Sequence, residues 1–95
     1  MTDDMHNGFI YTDEIGTKRY YLYDGITLHN EHGPAVDYKN GSKYWYVNGE
    51  RHREDGPAAI VFYEDGSMDE YFYFNGRQLF DLKELERIVN LKAFL

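Results

Sequence analysis

The chain has no cysteine and only two prolines in 95 residues. Without cysteine there is no disulfide, no thiolate zinc site and no thiol nucleophile. That fits a reducing compartment, so a cytoplasmic location is expected. No apolar run approaches the roughly 20 residues of a membrane span. Met1 to Asn7 is polar and acidic and does not read as a signal peptide. Basic residues are scarce, with Lys plus Arg at 10 against Asp plus Glu at 17, a net charge of -7. Such a surface repels phosphates, which argues against nucleic acid and anionic membranes as partners. Aromatic residues are abundant instead: ten Tyr, six Phe and one Trp make up 18% of the chain. That content is far above what a disordered chain carries. The length predicts a single domain over 1–95.

The chain repeats itself. His29-Asn30-Glu31-His32-Gly33-Pro34-Ala35 matches His52-Arg53-Glu54-Asp55-Gly56-Pro57-Ala58 at an offset of 23 residues. Asp37 to Ser42 matches Phe62 to Ser67 at 25, and Tyr44 to Gly49 matches Tyr71 to Gly76 at 27. The offset grows by two residues twice, so the later hairpin is the longer. A degraded earlier copy runs through Ile15-Gly16-Thr17 and Tyr20 to Gly25. Asn-Gly and Asp-Gly favour tight turns because glycine takes positive φ cheaply. Hairpin turns are expected at Asn40-Gly41, Asp65-Gly66 and, more weakly, Ile15-Gly16, with Asn48-Gly49 and Asn75-Gly76 leading into connections. Strands are expected near 8–13, 18–23, 34–39, 42–48, 57–64 and 68–75.

Alternation sorts the aromatics into two faces. Tyr21, Trp45 and Phe72 with Tyr23, Val47 and Phe74 form the more apolar face, read as the core side. Tyr20, Tyr44 and Tyr71 with Leu22, Tyr46 and Tyr73 form a face that tolerates water. After Gly76 the pattern turns helical over 80–95. Asp81 is the expected N-cap, Glu84 completes a capping box, and Phe80 is placed to staple onto Leu85. Leu82, Leu85, Ile88, Val89, Leu91 and Leu95 give the apolar stripe of a helix that caps the array.

The run from Asn48 to Ala58, with Tyr63-Glu64-Asp65-Gly66-Ser67 and Tyr71 to Gly76, resembles the MORN repeat in its shorter variant form. His-x-x-x-Gly-Pro-Ala stands where the common form has Gly-x-Gly. The resemblance covers roughly residues 11–77. It implies a mainly β fold, an antiparallel meander of about three hairpins in a twisted sheet with one C-terminal capping helix. Arrays of this kind resemble bacterial antitoxins, immunity proteins and phage-encoded proteins, and the family supplies no catalytic residue.

Charge is uneven. Glu54, Asp55, Glu64, Asp65, Asp69 and Glu70 lie in a stretch without Lys or Arg, while the other eleven acids face ten bases. Where the earlier hairpins have Lys18, Arg19, Lys39 and Lys43, the last has Glu64, Asp65, Asp69 and Glu70. Solvated turn charges protect a sheet edge from aggregation. The sharper reading is an electrostatic handle for a basic protein. The four acids do not follow the spacing of a twelve-residue calcium loop. His29 and His52 recur with the repeat, which points to a repeated structural job in the loop between hairpins. Ser42 and Ser67 sit in turns, where serine serves the turn. No enzyme, metal or cofactor is therefore expected. The expected function is an acidic inhibitor of a basic partner protein, with Glu64, Asp65, Asp69 and Glu70 steering. Tyr44, Tyr46, Tyr71 and Tyr73 would supply contact area. The alternative is a scaffold module for protein assembly. The sequence leaves the oligomeric state open, a homodimer included.

Overall fold

The computed structural model describes residues 8–92. The strands are β1 (Phe9–Thr12), β2 (Lys18–Tyr21), β3 (Val36–Asp37), β4 (Lys43–Tyr44), β5 (Tyr46–Val47), β6 (Glu50–Arg51), β7 (Ala59–Phe62), β8 (Met68–Phe74) and β9 (Arg77–Leu79), followed by helix α1 (Leu82–Lys92). Seven strands form one antiparallel sheet in the order β1-β2-β3-β4-β7-β8-β9, while β5 and β6 pair separately. The molecule is a slab of 41 × 40 × 19 Å. The expected meander with a C-terminal helix is present. The expectations for Met1 to Asn7 and Leu95 lie outside the described residues.

The hairpins turn differently from the sequence expectation. At Asn40-Gly41 and Asp65-Gly66 only the glycines have positive φ, 98° and 91°. Gly41 and Gly66 N–H donate to Tyr38 and Tyr63 O, and Tyr38 and Tyr63 N–H donate to Ser42 and Ser67 O. This is a wider turn closed by a glycine bulge. Asn48-Gly49 and Asn75-Gly76, read as lead-ins to connections, are the tight two-residue turns. Both residues of each pair have positive φ (52° and 83°; 49° and 84°). They create the β5–β6 and β8–β9 hairpins, which the sequence reading did not include; the expected strand 42–48 is interrupted at Trp45, whereas β8 runs unbroken into its turn.

Each Asn-Gly turn is tied to the start of its own module. Gly49 N–H donates to Leu28 O, Asn30 N–H to Tyr46 O, and Asn48 N–H to His29 Nδ1 at 2.9 Å. One repeat later, Gly76 N–H donates to Arg51 O, Arg53 N–H to Tyr73 O, and Asn75 N–H to His52 Nδ1 at 2.9 Å. The repeated histidine thus does a repeated structural job. Asn30 Nδ2 and Arg53 Nη1 likewise donate to Pro34 O and Pro57 O.

Among the described residues the buried apolar side chains are not the aromatics. They are Ala35, Val36, Ala58, Ala59, Leu79 and Leu85. A single-layer sheet cannot enclose rings on both faces, so the small residues at the module junctions are the ones enclosed. Trp45, Phe72, Val47 and Phe74 are half-buried, but the first copy is one residue out of step with the expected alignment. Arg19 shares a row with Val36 and Tyr44, and Tyr20 takes the backbone bonds that Trp45 takes one repeat later. Tyr20 rather than Tyr21 therefore holds the Trp45 position, and Tyr23 lies in the following turn, 59% exposed.

Helix α1 packs on β8 and β9 through Leu85, Ile88 and Val89, while Leu82 and Leu91 stay exposed. Asp81 Oδ1 accepts from Glu84 N–H at 3.0 Å, as an N-cap should. Glu84 Oε1 reaches back to Phe80 N–H rather than to the cap residue itself. The expected staple is absent, since Phe80 is 91% exposed. The far end of α1 is pinned where Lys92 bonds Glu54, whose carboxylate also meets His52 Nε2.

Replacing His29 or His52 by Ala leaves an Asn-Gly amide without its acceptor. Each change is expected to cost about 1–3 kcal/mol in urea unfolding. Because Nδ1 accepts an amide hydrogen, nitrogen NMR is expected to find both rings protonated at Nε2. The Lys92 hydrogen bond holds Glu54 below the ordinary glutamate range. A depressed carboxylate stabilises the fold above its unfolded value, and that contribution is lost as pH falls through the lower folded value. Backbone shifts of the last turn of α1 are expected to move in that acidic window in the native chain and to stay still there in Glu54→Gln.

Candidate functional site

The two growth steps in the repeat offset fall on the two strands of one hairpin. β3 pairs with β4 over two residue pairs, whereas β7 pairs with β8 over four, Ala59↔Tyr71 through Phe62↔Met68. Two extra residues per strand lengthen a hairpin by about 7 Å. The flank of this longer hairpin is satisfied by the previous turn: Phe62 N–H donates to Ser42 Oγ at 2.9 Å, and Ser42 is buried. Ser67, its counterpart at the end of the array, is exposed and bonds only within its own turn, to Asp65.

All four predicted acids lie on this extension and all are exposed. Glu64 and Asp65 form the turn; Asp69 and Glu70 follow on β8, on opposite faces. Among the described residues none of the four makes an ion pair. By contrast Asp13, Asp37, Asp55 and Glu84 pair with Arg19, Lys43, Arg53 and Arg77. Glu54 and Asp55, counted with the acidic stretch in the sequence, are therefore compensated and belong to the scaffold.

The four are not equivalent. Asp65 Oδ1 accepts from Ser67 N–H and Oγ, and these bonds lower its pKa. Asp69 Oδ2 accepts from Tyr63 Oη at 2.9 Å, a bond that pushes the Tyr63 phenol up to about 12. Glu64 and Glu70 make no hydrogen bond to any described residue. Glu70 shares a row with Ile60 and Lys43 across β8, β7 and β4. Ile60 stands between Glu70 and Lys43 in that row, their backbones two strand spacings (roughly 9–10 Å) apart, and Asp37 already holds Lys43.

The predicted tyrosines lie on the opposite side of the sheet from α1, and the chain already engages three of them. Tyr44 and Tyr71 share a row through Ala59, with Tyr73 one step along. Arg51 from β6 reaches into this face, its Cζ 4.9, 5.8 and 5.3 Å from the Tyr44, Tyr46 and Tyr73 ring centres. Its Nε donates to Tyr46 Oη at 3.1 Å and its Nη1 to Tyr73 Oη at 3.3 Å. Burial pushes the guanidinium pKa down, but the phenol bonds outweigh it and the net shift is upward. Tyr71 stands outside this cluster, within reach of Asp69 at 3.5 Å. Sequence reading missed Arg51, because its role depends on the β5–β6 hairpin that the Asn48-Gly49 turn creates.

A groove of about 610 Å³ runs between the two connecting loops, with Trp45 at its base and Arg53 stacked 4.0 Å from the indole centre. A second, of about 510 Å³, lies between α1 and Phe74. Among the described residues no three His, Asp or Glu side chains gather as metal ligands, and no helix is long and apolar enough to cross a membrane. No protein-family model, curated protein or solved structure matches the chain.

Asp69→Asn removes the charged acceptor from Tyr63. In a tyrosine-resolved NMR titration Tyr63 is expected to fall from about 12 toward the ordinary value near 10. Unchanged late ionisation would mean that another group holds it.

Proposed function

We propose that this chain is a non-enzymatic protein-binding module of the MORN-repeat kind, an acidic inhibitor of a basic partner protein. It would act in the cytoplasm in the manner of an antitoxin, an immunity protein or a phage inhibitor of host defence. The observation that supports this reading is the lengthened β7–β8 hairpin, which gathers four exposed carboxylates that make no ion pair among the described residues. Asp13, Asp37, Asp55 and Glu84 pair with the chain's own cations, and the other unpaired acids, Glu14, Asp24, Glu50, Asp81 and Glu86, are scattered over other elements. Charge paired within the chain is largely cancelled at a distance, whereas projected, uncompensated charge raises a field that steers an oppositely charged surface. Glu64, Asp65, Asp69 and Glu70 guide encounter, and the tyrosine face with Tyr44, Tyr46, Tyr71 and Tyr73 supplies the large, half-wet rings common in interface hot spots.

The scaffold reading draws on a different observation. Phe9, Ile10 and Tyr11 on β1, with Ile15, Tyr23 and Ile26, are 55–79% exposed at the start of the sheet. An uncharged edge strand with apolar side chains is a template for strand pairing. Assembly through it would be insensitive to salt and to the acidic hairpin.

The experiment is capture of a partner from host lysate, followed by association kinetics with the purified partner. The inhibitor reading predicts a basic partner and a rate that falls steeply with salt. It further predicts at least a tenfold loss of rate at low salt when Glu64, Asp65, Asp69 and Glu70 are changed to Lys. A rate indifferent to both salt and charge reversal, with concentration-dependent self-association, would favour the scaffold instead.

A further inference from the structure

In a chain of net charge -7, one cation is held by aromatic side chains alone and pairs with no carboxylate among the described residues. Arg51 makes no ion pair among the described residues, although Arg19, Arg53 and Arg77 each hold an Asp or Glu. It is half-buried and fixed by three tyrosine rings and two phenol oxygens. A guanidinium has five N–H donors, and Nε and Nη1 supply the two bonds to phenols. Nη2 therefore keeps both its hydrogens, with no acceptor among the described residues. By the planar geometry of the group, Nη2 shares one donor fork with Nε and the other with Nη1. Tyr46 Oη and Tyr73 Oη accept from the arginine and donate to no described residue, so each retains a hydroxyl hydrogen to offer.

We propose that Arg51, Tyr46 and Tyr73 form a receptor for a carboxylate presented by a protein partner. The guanidinium is held rigid before binding, which spares the ordering that a surface arginine would lose. A carboxylate oxygen at Nη2 takes a charge-assisted bond and receives a phenol hydrogen beside it, and its charge meets the only opposite charge on this face that no acid of the chain claims among the described residues. A singly charged carboxylate suits the site better than a phosphate, because the field of a net -7 chain opposes a dianion more strongly. The tyrosine face is thus the place where this acidic protein accepts an acid. The receptor stands on the geometry of Arg51 alone and does not depend on the acidic hairpin.

The test needs no partner. The full chain is titrated with acetate, with inorganic phosphate and with chloride at fixed ionic strength, following the Arg51 Nε–H and the Tyr46 and Tyr73 ring signals by NMR. Acetate is expected to give a saturable shift at these three residues that chloride does not give. Arg51→Lys should abolish it, and the double variant Tyr46→Phe with Tyr73→Phe, which keeps the rings and loses the hydroxyls, should weaken it at least threefold. Equal responses to acetate and chloride overturn the site. So does an unweakened response in the double Phe variant, which decides the matter if Arg51→Lys fails to fold. Phosphate binding as tightly as acetate overturns the carboxylate assignment.

Discussion

Two successive modules of this sheet each close on themselves through an imidazole nitrogen. His29 Nδ1 takes the Asn48 amide and His52 Nδ1 takes the Asn75 amide, both at 2.9 Å. The amide at that position leads a turn in which two successive residues have positive φ, so neither strand can supply its acceptor without losing the turn. A side chain from the start of the module supplies it instead. The closure sets where β5–β6 and β8–β9 fold back, and so where Arg51 enters the tyrosine face and where α1 begins. Because the closure ties only the two ends of a module, the hairpin between them can lengthen without disturbing it: the bond is 2.9 Å in both modules.

The long hairpin shows what that freedom permits. Its base is secured by Ser42, which bonds Phe62 N–H from the preceding turn, so the extension starts from a fixed point. Beyond that point the chain has exchanged cations for carboxylates. Asp65 and Asp69 keep local roles through Ser67 and Tyr63, and Glu64 and Glu70 keep none among the described residues. The same protein places a cation, Arg51, where no acid of its own answers it. The acidic extension and Arg51 both lie in or at the start of the last full module.

Much of this was legible in the sequence because repetition makes position meaningful. The offsets of 23, 25 and 27 located the hairpins and showed where one had grown, and the recurrence of His29 at His52 pointed to a structural duty before any bond was visible. What was not legible depends on φ and on packing. Nothing in the strings Asn40-Gly41 and Asn48-Gly49 tells which asparagine turns left-handed; in the structure only Asn48 does. The core was misjudged because hydrophobic rank put aromatics inside, while a one-layer sheet encloses the alanines where neighbouring modules meet. Phe80 has the spacing of a staple, but Glu84 bonds its amide and the ring points to solvent.

On the proposed function, the outermost charges of the β7–β8 hairpin do nothing for the fold and serve an encounter outside it. Urea unfolding of the double variant Glu64→Gln with Glu70→Gln, at low salt, tests this most directly, since the amides keep size and polarity and remove only charge. The account predicts a stability equal to the native chain or a few tenths of a kcal/mol above it, as like charges are relieved. A loss of more than about 1 kcal/mol, the size of an ordinary structural contact, would show that these carboxylates hold the hairpin together and would contradict the account.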